Sequence, residues 1–171
     1  MLIPEGAVVA VGLASEAALL PAGTRVLVSG GDAARLATML DALPDDVTCV
    51  LSFGIAGGLA PSVRTGDVLL AGMLHAGRTF APDAAWTTAL AARTRARVVP
   101  HAASDTLLAD AEAKRALHAA TGAEAVDMES GAVARFAAAR GLPFAVLRAV
   151  ADGPEDALPR AAGKALTPDG R

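Results

Sequence analysis

The chain has 171 residues, 53% of them hydrophobic, which suffices for one continuous core and gives no reason to expect a second domain. A net charge of −3, with 15 Lys and Arg against 18 Asp and Glu and no basic run, excludes a nucleic-acid footprint and favours a small, mildly polar ligand. Cys49 is the only cysteine, no basic segment precedes the apolar run at 7–13, and no apolar span reaches about 18 residues, so disulfides, a signal peptide and a membrane helix are not expected and the address is cytoplasmic.

Taken in order, the elements alternate between strand and helix. Residues 7–12 form a continuous apolar run ended by glycine, the pattern of a central parallel strand. Segment 13–20 opens a helix, with Ser15 as its cap and Glu16 in the first turn, where an anion complements the helix dipole. Residues 25–31 make the next strand. Its Ser29-Gly30-Gly31 end leads into a helix over 32–43 that Pro44 closes. Glycines at such a turn let backbone N–H groups approach an oxygen ligand, either phosphate or a positioned water. A third strand at 47–53 runs into a loop, Gly54-Ile55-Ala56-Gly57-Gly58-Leu59-Ala60-Pro61, where missing Cβ atoms allow close approach of a ligand.

Gly66-Asp67 is a turn into a further strand at 68–70, and 83–94 is a helix whose end is complemented by Arg93, Arg95 and Arg97. A strand at 98–104 leads to Asp105-Thr106-Leu107-Leu108, and a helix at 111–120 stops at Gly122. Segment 124–152 organises the rest: a strand ending in Asp127, Met128 and Glu129, a helix at 130–140, a Gly141-Leu142-Pro143 break, and a buried strand at 144–150 reaching Asp152. This β-α-β pattern projects an acid from each strand end toward one site. Either acid alone fits a helix cap or a solvated loop; the pair points to chemistry. His75, His101 and His118 have no metal-ligand spacing, so no metal is expected. Gly153, Pro154, Pro159, Pro168 and Gly170 mark loop after Asp152. The expected fold is one α/β domain over 1–171, with a mostly parallel central mixed sheet flanked by helices.

Val126-Asp127-Met128-Glu129, Leu142-Pro143-Phe144 and Arg148-Ala149-Val150-Ala151-Asp152 resemble the signature region of the purine nucleoside phosphorylase and methylthioadenosine/S-adenosylhomocysteine nucleosidase superfamily. Residues 54–59 resemble its glycine loop. Within that superfamily the chain is most similar to bacterial hopanoid-associated phosphorylases, which act on an adenosine carrying a hopane lipid at its 5′ carbon. The resemblance implies a nucleoside phosphorylase-like fold, a purine nucleoside ligand, no cofactor, and a homo-oligomer. The amphipathic helix with which the superfamily normally closes is not discernible after Asp152.

The resemblance also implies roles. Asp152 would protonate or hydrogen-bond the purine N7, from a carboxyl kept protonated by burial and neighbours. Glu129 would accept the ribose hydroxyls and face the developing oxocarbenium ion, with Met128 under the sugar. Glu16, oriented by Arg148, would deprotonate the attacking water. Ile55, Ala56 and Gly57 would lie against the nucleoside, Leu107, Leu108 and Val126 would face the base, and Gly30 and Gly31 would hold water or phosphate. Ala151 replaces a serine usual in the nucleosidases, and Ser52 and Ile55 stand where similar hexameric phosphorylases carry a phosphate-gripping arginine and serine. Phosphate without a bidentate guanidinium loses charge-assisted hydrogen bonds that water does not need. Hydrolysis is therefore expected. Phosphorolysis, with phosphate as co-substrate gripped by Arg64 or Arg78, is the alternative, and a non-catalytic adenine-nucleoside sensor is a third reading, opposed by retention of all three acids.

Overall fold

Five buried residues in a row make β1 (Ala7–Val11), which pairs in parallel with β2 (Arg25–Val28) on one edge and β3 (Cys49–Gly58) on the other. The computed structural model describes residues 3–158. The other strands are β4 (Val68–His75), β5 (Thr79–Phe80), β6 (Arg97–Ala103), β7 (Ala125–Asp127) and β8 (Phe144–Asp152). Their order is β2-β1-β3-β7-β6-β4-β5, and β8 pairs with both β3 and β4. That second pairing closes β3, β7, β6, β4 and β8 into a barrel-like ring.

The sheet is therefore mixed and closed, which corrects the expected mostly parallel arrangement. Three ladders are antiparallel: β3 with β7, β4 with β5, and β4 with β8. Apolar runs report burial on both faces but carry no direction, so the sequence pattern did not distinguish these pairings. A second correction concerns residues 54–58, expected as a loop. They continue β3, because β8 pairs with them from Gly54↔Arg148 to Gly57↔Asp152. Strand β7 takes the other edge at Gly57↔Val126. Gly57 is thus flanked by both acid-bearing strands.

Helices α1 (Ala14–Ala17), α2 (Ala33–Asp41), α3 (Ala84–Thr94), α4 (Ala111–Thr121) and α5 (Ser130–Arg140) surround the sheet. The carboxylates of Asp32, Asp83 and Asp110 each accept an N3 backbone N–H, at 2.9, 2.7 and 2.7 Å, and fix the starts of α2, α3 and α4. Ser15 is not the cap of α1; Leu13 holds that position and Glu16 reaches back to its N–H. Of the three arginines expected at the end of α3, Arg93 lies in the last turn and Arg95 adopts a left-handed C-cap at φ 58°. Arg97 opens β6 and pairs with Glu124 at 2.7 Å.

Helix α5 is the central one. Gly131, Ala132, Val133, Ala134 and Ala137 are buried, and small side chains let it lie close against the sheet. It joins Val8, Val50, Val146 and Phe144 in the main core, where Leu36 and Leu40 of α2 complete the packing. Its first turn lies against the carboxyl ends of β6 and β4, where a Cβ on Gly131 would meet Ala103 at 3.0 Å and Ala76 at 3.5 Å. No described helix is long and apolar enough to cross a membrane. Pro159, Pro168 and Gly170, and with them the expectation that no closing helix follows Asp152, lie outside the described residues.

Candidate active site

Three backbone donors converge on one carboxylate. Glu16 Oε2 accepts the N–H of Gly12 and of Leu13, each at 2.8 Å, and Oε1 accepts that of Ile55, also at 2.8 Å. The side chain is 6% exposed, so these donors decide its orientation and tie the end of β1 to β3. Glycine is required at Gly54, whose φ is +147°: a Cβ there would lie 2.6 Å from Glu16 Cδ and 2.8 Å from Arg148 Nη1. At Gly12 a Cβ would meet Glu129 Oε1 at 2.9 Å.

Glu129 occupies the N-cap position of α5. Ser29 Oγ donates to its Oε1 at 3.2 Å, and Arg148 Nη2 lies 3.5 Å from its Oε2. Burial pushes its pKa above the ordinary glutamate range; Arg148 opposes the shift, while Asp127 and Glu16 add to it. Arg148 itself is fully buried and donates through Nη2 to Ser52 Oγ at 2.5 Å and Asp127 Oδ1 at 3.0 Å. Burial alone would lower its pKa, but Asp127, Glu129 and Glu16 outweigh that and raise it. Ser52 is thus an acceptor for the one buried guanidinium of the site.

Asp127 also accepts the N–H groups of Glu129 at 2.9 Å and Ser130 at 2.7 Å, which holds the Met128-Glu129 corner in shape. The sequence reading assigned Asp127 no role. A signal was present: Arg148 interrupts an apolar strand, and a buried guanidinium needs a buried carboxylate. His101, on the neighbouring strand, is fully buried and its pKa is lowered to about 4 by burial, so it stays neutral at physiological pH.

Asp152 ends β8 beside Gly57, where a Cβ would lie 3.3 Å from its Oδ2. Its partner is Lys114 of α4, a fully buried lysine whose Nζ donates to Asp152 Oδ2, to Gly153 O at 2.8 Å and to Asp156 O at 2.8 Å. Sequence reasoning missed Lys114 as well. It neighbours exposed Arg115 and resembles an ordinary solvated charge, although it shares the inward face of α4 with Leu117, His118 and Thr121.

A cavity of about 250 Å³ opens among these groups. Of the residues singled out from the sequence, Glu16, Glu129, Asp152, Gly31, Ile55, Ala56, Gly57, Leu107, Val126 and Met128 line it. Leu108 lines a small adjoining recess, Gly30 lines a neighbouring groove, and Arg148 is buried beneath the floor. Among the described residues no group of three or more His, Cys, Asp or Glu is placed to hold a metal ion.

A family model described as the phosphorylase superfamily matches residues 23–166. The chain belongs to the phosphorylase superfamily. It is accordingly an enzyme of N-glycosyl bond cleavage. No curated protein sequence matches it significantly. Among solved structures, the S-adenosylhomocysteine nucleosidase of Streptococcus pyogenes in complex with 5-methylthiotubericidin is 20% identical, with a TM-score of 0.77 over 87% of this chain and 84% of that one. The 5′-methylthioadenosine/S-adenosylhomocysteine nucleosidase of S. pneumoniae, bound to a transition-state inhibitor, is 18% identical with a TM-score of 0.76, covering 87% and 86%. A futalosine hydrolase mutant of Helicobacter pylori gives the same identity, TM-score and coverage. These likenesses establish that this superfamily member shares their fold.

The raised pKa of Glu129 makes a testable statement about stability. A carboxyl that holds its proton more tightly in the folded state costs stability when ionised. The cost grows as pH rises from the ordinary value through the raised one and is complete above it. Glu129→Gln removes that cost, so its thermal midpoint relative to wild type is expected to be higher near pH 7 than near pH 4. About 2–4 °C accompanies each kcal/mol at this chain length. Differential scanning fluorimetry at the two pH values checks it, and an offset that does not change with pH would contradict the assignment.

Proposed function

We propose that the enzyme hydrolyses the N-glycosidic bond of a purine nucleoside, releasing adenine from an adenosine that carries a 5′ substituent. The observation that carries this reading is the division of the acids along β3. Glu16 and Glu129 gather at Gly12 and Gly54, and Asp152 stands at Gly57, three residues or about 10 Å further along the strand. N-glycosidic cleavage leaves positive charge on the ribosyl ring and negative charge on the departing base. Two carboxylates at one end and a separate acid at the other suit that charge separation. Glu129 accepts the ribose hydroxyls over Met128 and faces the oxocarbenium ion. Glu16 takes the proton of the attacking water, and Arg148, buried beneath it beside Gly54, orients the carboxylate. Asp152 serves the base, which lies against Val126, Leu107 and Leu108.

Hydrolysis is favoured over phosphorolysis by the charge of the water side. Among the described residues its one guanidinium, Arg148, is engaged through Nη2 by Asp127, Ser52 and Glu129, and two carboxylates would face a phosphate dianion. Arg64 is exposed in the β3–β4 turn, and Arg78 stacks on Phe80 at 4.4 Å along a different cavity. At the Gly30-Gly31 turn the α2 N-terminus already holds Asp32. Adenine release is therefore expected to proceed at the same rate with and without phosphate. Release that requires phosphate would make the enzyme a phosphorylase.

The 5′ substituent is proposed to leave through the neighbouring groove of about 700 Å³, which shares Gly31, Leu107 and Met128 with the cavity and has Ala33, Ala34 and Ala37 along it. Ala33, Ala34 and Ala37 leave room for a bulky group beside the charged Asp32, Asp105 and Arg135, and adenosylhopane is the candidate implied by the sequence resemblance. Consumption of methylthioadenosine with adenosylhopane untouched would remove that candidate. A cytoplasmic homo-oligomer without a resident cofactor completes the proposal.

A further inference from the structure

Lys114 has no part in the mechanism above, yet it is the one fully buried ammonium among the described residues and all its donors are directed. Two N–H groups reach the carbonyl oxygens of Gly153 and Asp156, and the third contact is with Asp152 Oδ2. Resting on the hydrolase reading, we propose that Lys114 is a positioning residue that supplies, through Asp152, the proton taken by the departing base.

Lys114 Nζ makes three contacts. They fit an ammonium donating to a carboxylate and two carbonyls. They fit equally a neutral amine that donates to the two carbonyls and accepts, through its lone pair, from a protonated Asp152. The two arrangements differ by one proton moved along one hydrogen bond. Lys114 is removed from water, while the side chain of Asp152 is 14% exposed on the cavity side. Asp152 faces the cavity and Lys114 does not, so the lysine acts only through the carboxyl. The backbone of residues 153–156 is folded around Nζ: Gly153 N–H donates to Asp156 Oδ2 at 2.7 Å and closes the turn whose carbonyls hold the lysine.

As the C1′–N9 bond breaks, its electron pair passes to the base. A purine ring nitrogen takes the one mobile proton of the pair: it passes from Lys114 to Asp152 and from Asp152 to the base, leaving a neutral amine beside a carboxylate. Water adds to the ribosyl carbon and gives its second proton to Glu16. The pair is restored through solvent after product release, when Glu16 returns its proton and Lys114 regains one.

The test compares leaving groups. Adenine requires protonation to depart, whereas 4-nitrophenolate leaves 4-nitrophenyl β-ribofuranoside as a stable anion. Lys114→Met is expected to lower kcat for adenine release at least about 100-fold, with KM within about threefold, while nitrophenol release changes less than about threefold. Both substrates are read on the same folded molecules, so a reduced folded fraction cancels in their ratio. Lys114→Gln, a polar replacement of similar length, is measured in parallel in case the methionine variant does not fold, and the same ratio is expected. Equal losses on both substrates, or no loss on adenine, would overturn the proposal. Should wild type not accept the phenyl riboside, the kinetic split decides: a loss confined to KM overturns the proposal. Wild-type protein that releases no adenine refutes the hydrolase reading itself, and this proposal falls with it.

Discussion

Asp152→Asn is expected to abolish adenine release while the protein remains folded. The amide cannot donate a carboxyl proton, and loss of a general acid costs about 10²–10⁴ in rate. The fold is expected to survive because the Asn oxygen can still accept from Lys114, and Lys114 keeps its bonds to Gly153 O and Asp156 O. The core strands beneath it are untouched, since Val146 and Val150 of β8 pack independently of the tip. Chromatographic assay of adenine, beside circular dichroism and a thermal melt, separates the two outcomes. Turnover near that of wild type would remove Asp152 from the mechanism.

Gly54→Ala should be nearly as damaging, by a different route. The new methyl would press on Glu16 Cδ at 2.6 Å and Arg148 Nη1 at 2.8 Å, and the φ of +147° is strained for any residue with a Cβ. Overpacking and backbone strain cost about 1–3 kcal/mol each. Because the displaced atoms belong to the carboxylate proposed to deprotonate water and to the arginine that orients it, the expected loss in kcat is about 100-fold or more. Gly66→Ala supplies the comparison. Gly66 has φ +93° and nothing within 4 Å of its Cβ position, so this variant should lose stability and keep its turnover. Similar activity losses in both variants would mean that Gly54 matters for the backbone alone.

Much of this site is legible in the chain because its acids stand where local patterns end. Asp127, Met128 and Glu129 close an apolar strand, and Gly141 closes α5 with φ 65°, so the limits of that helix follow from its own residues. Glu16 is legible by resemblance, but its function as the acceptor for Ile55 N–H is not, because that donor lies 39 residues away. The same distance problem hides the Asp127–Arg148 and Lys114–Asp152 pairs. Each joins elements that do not pair with each other in the sheet, and periodicity within an element says nothing about its partner. The glycines at 54–58 mislead for a related reason. Read locally they signal a loop, whereas in the fold they are strand residues kept bare so that Glu16, Arg148 and Asp152 can crowd the backbone.

The double pairing of β8 bears on how the protein is made in the cell. A nascent chain emerges N-terminus first, and until residue 152 has left the ribosome the ring between β3 and β4 has no closing strand. Two long strand edges, complete at residues 58 and 75, therefore wait unpaired until residue 152 is synthesised, a state prone to aggregation. Arg148 and Asp152 arrive with β8, so no chain shorter than 152 residues carries the complete set of groups proposed for bond cleavage.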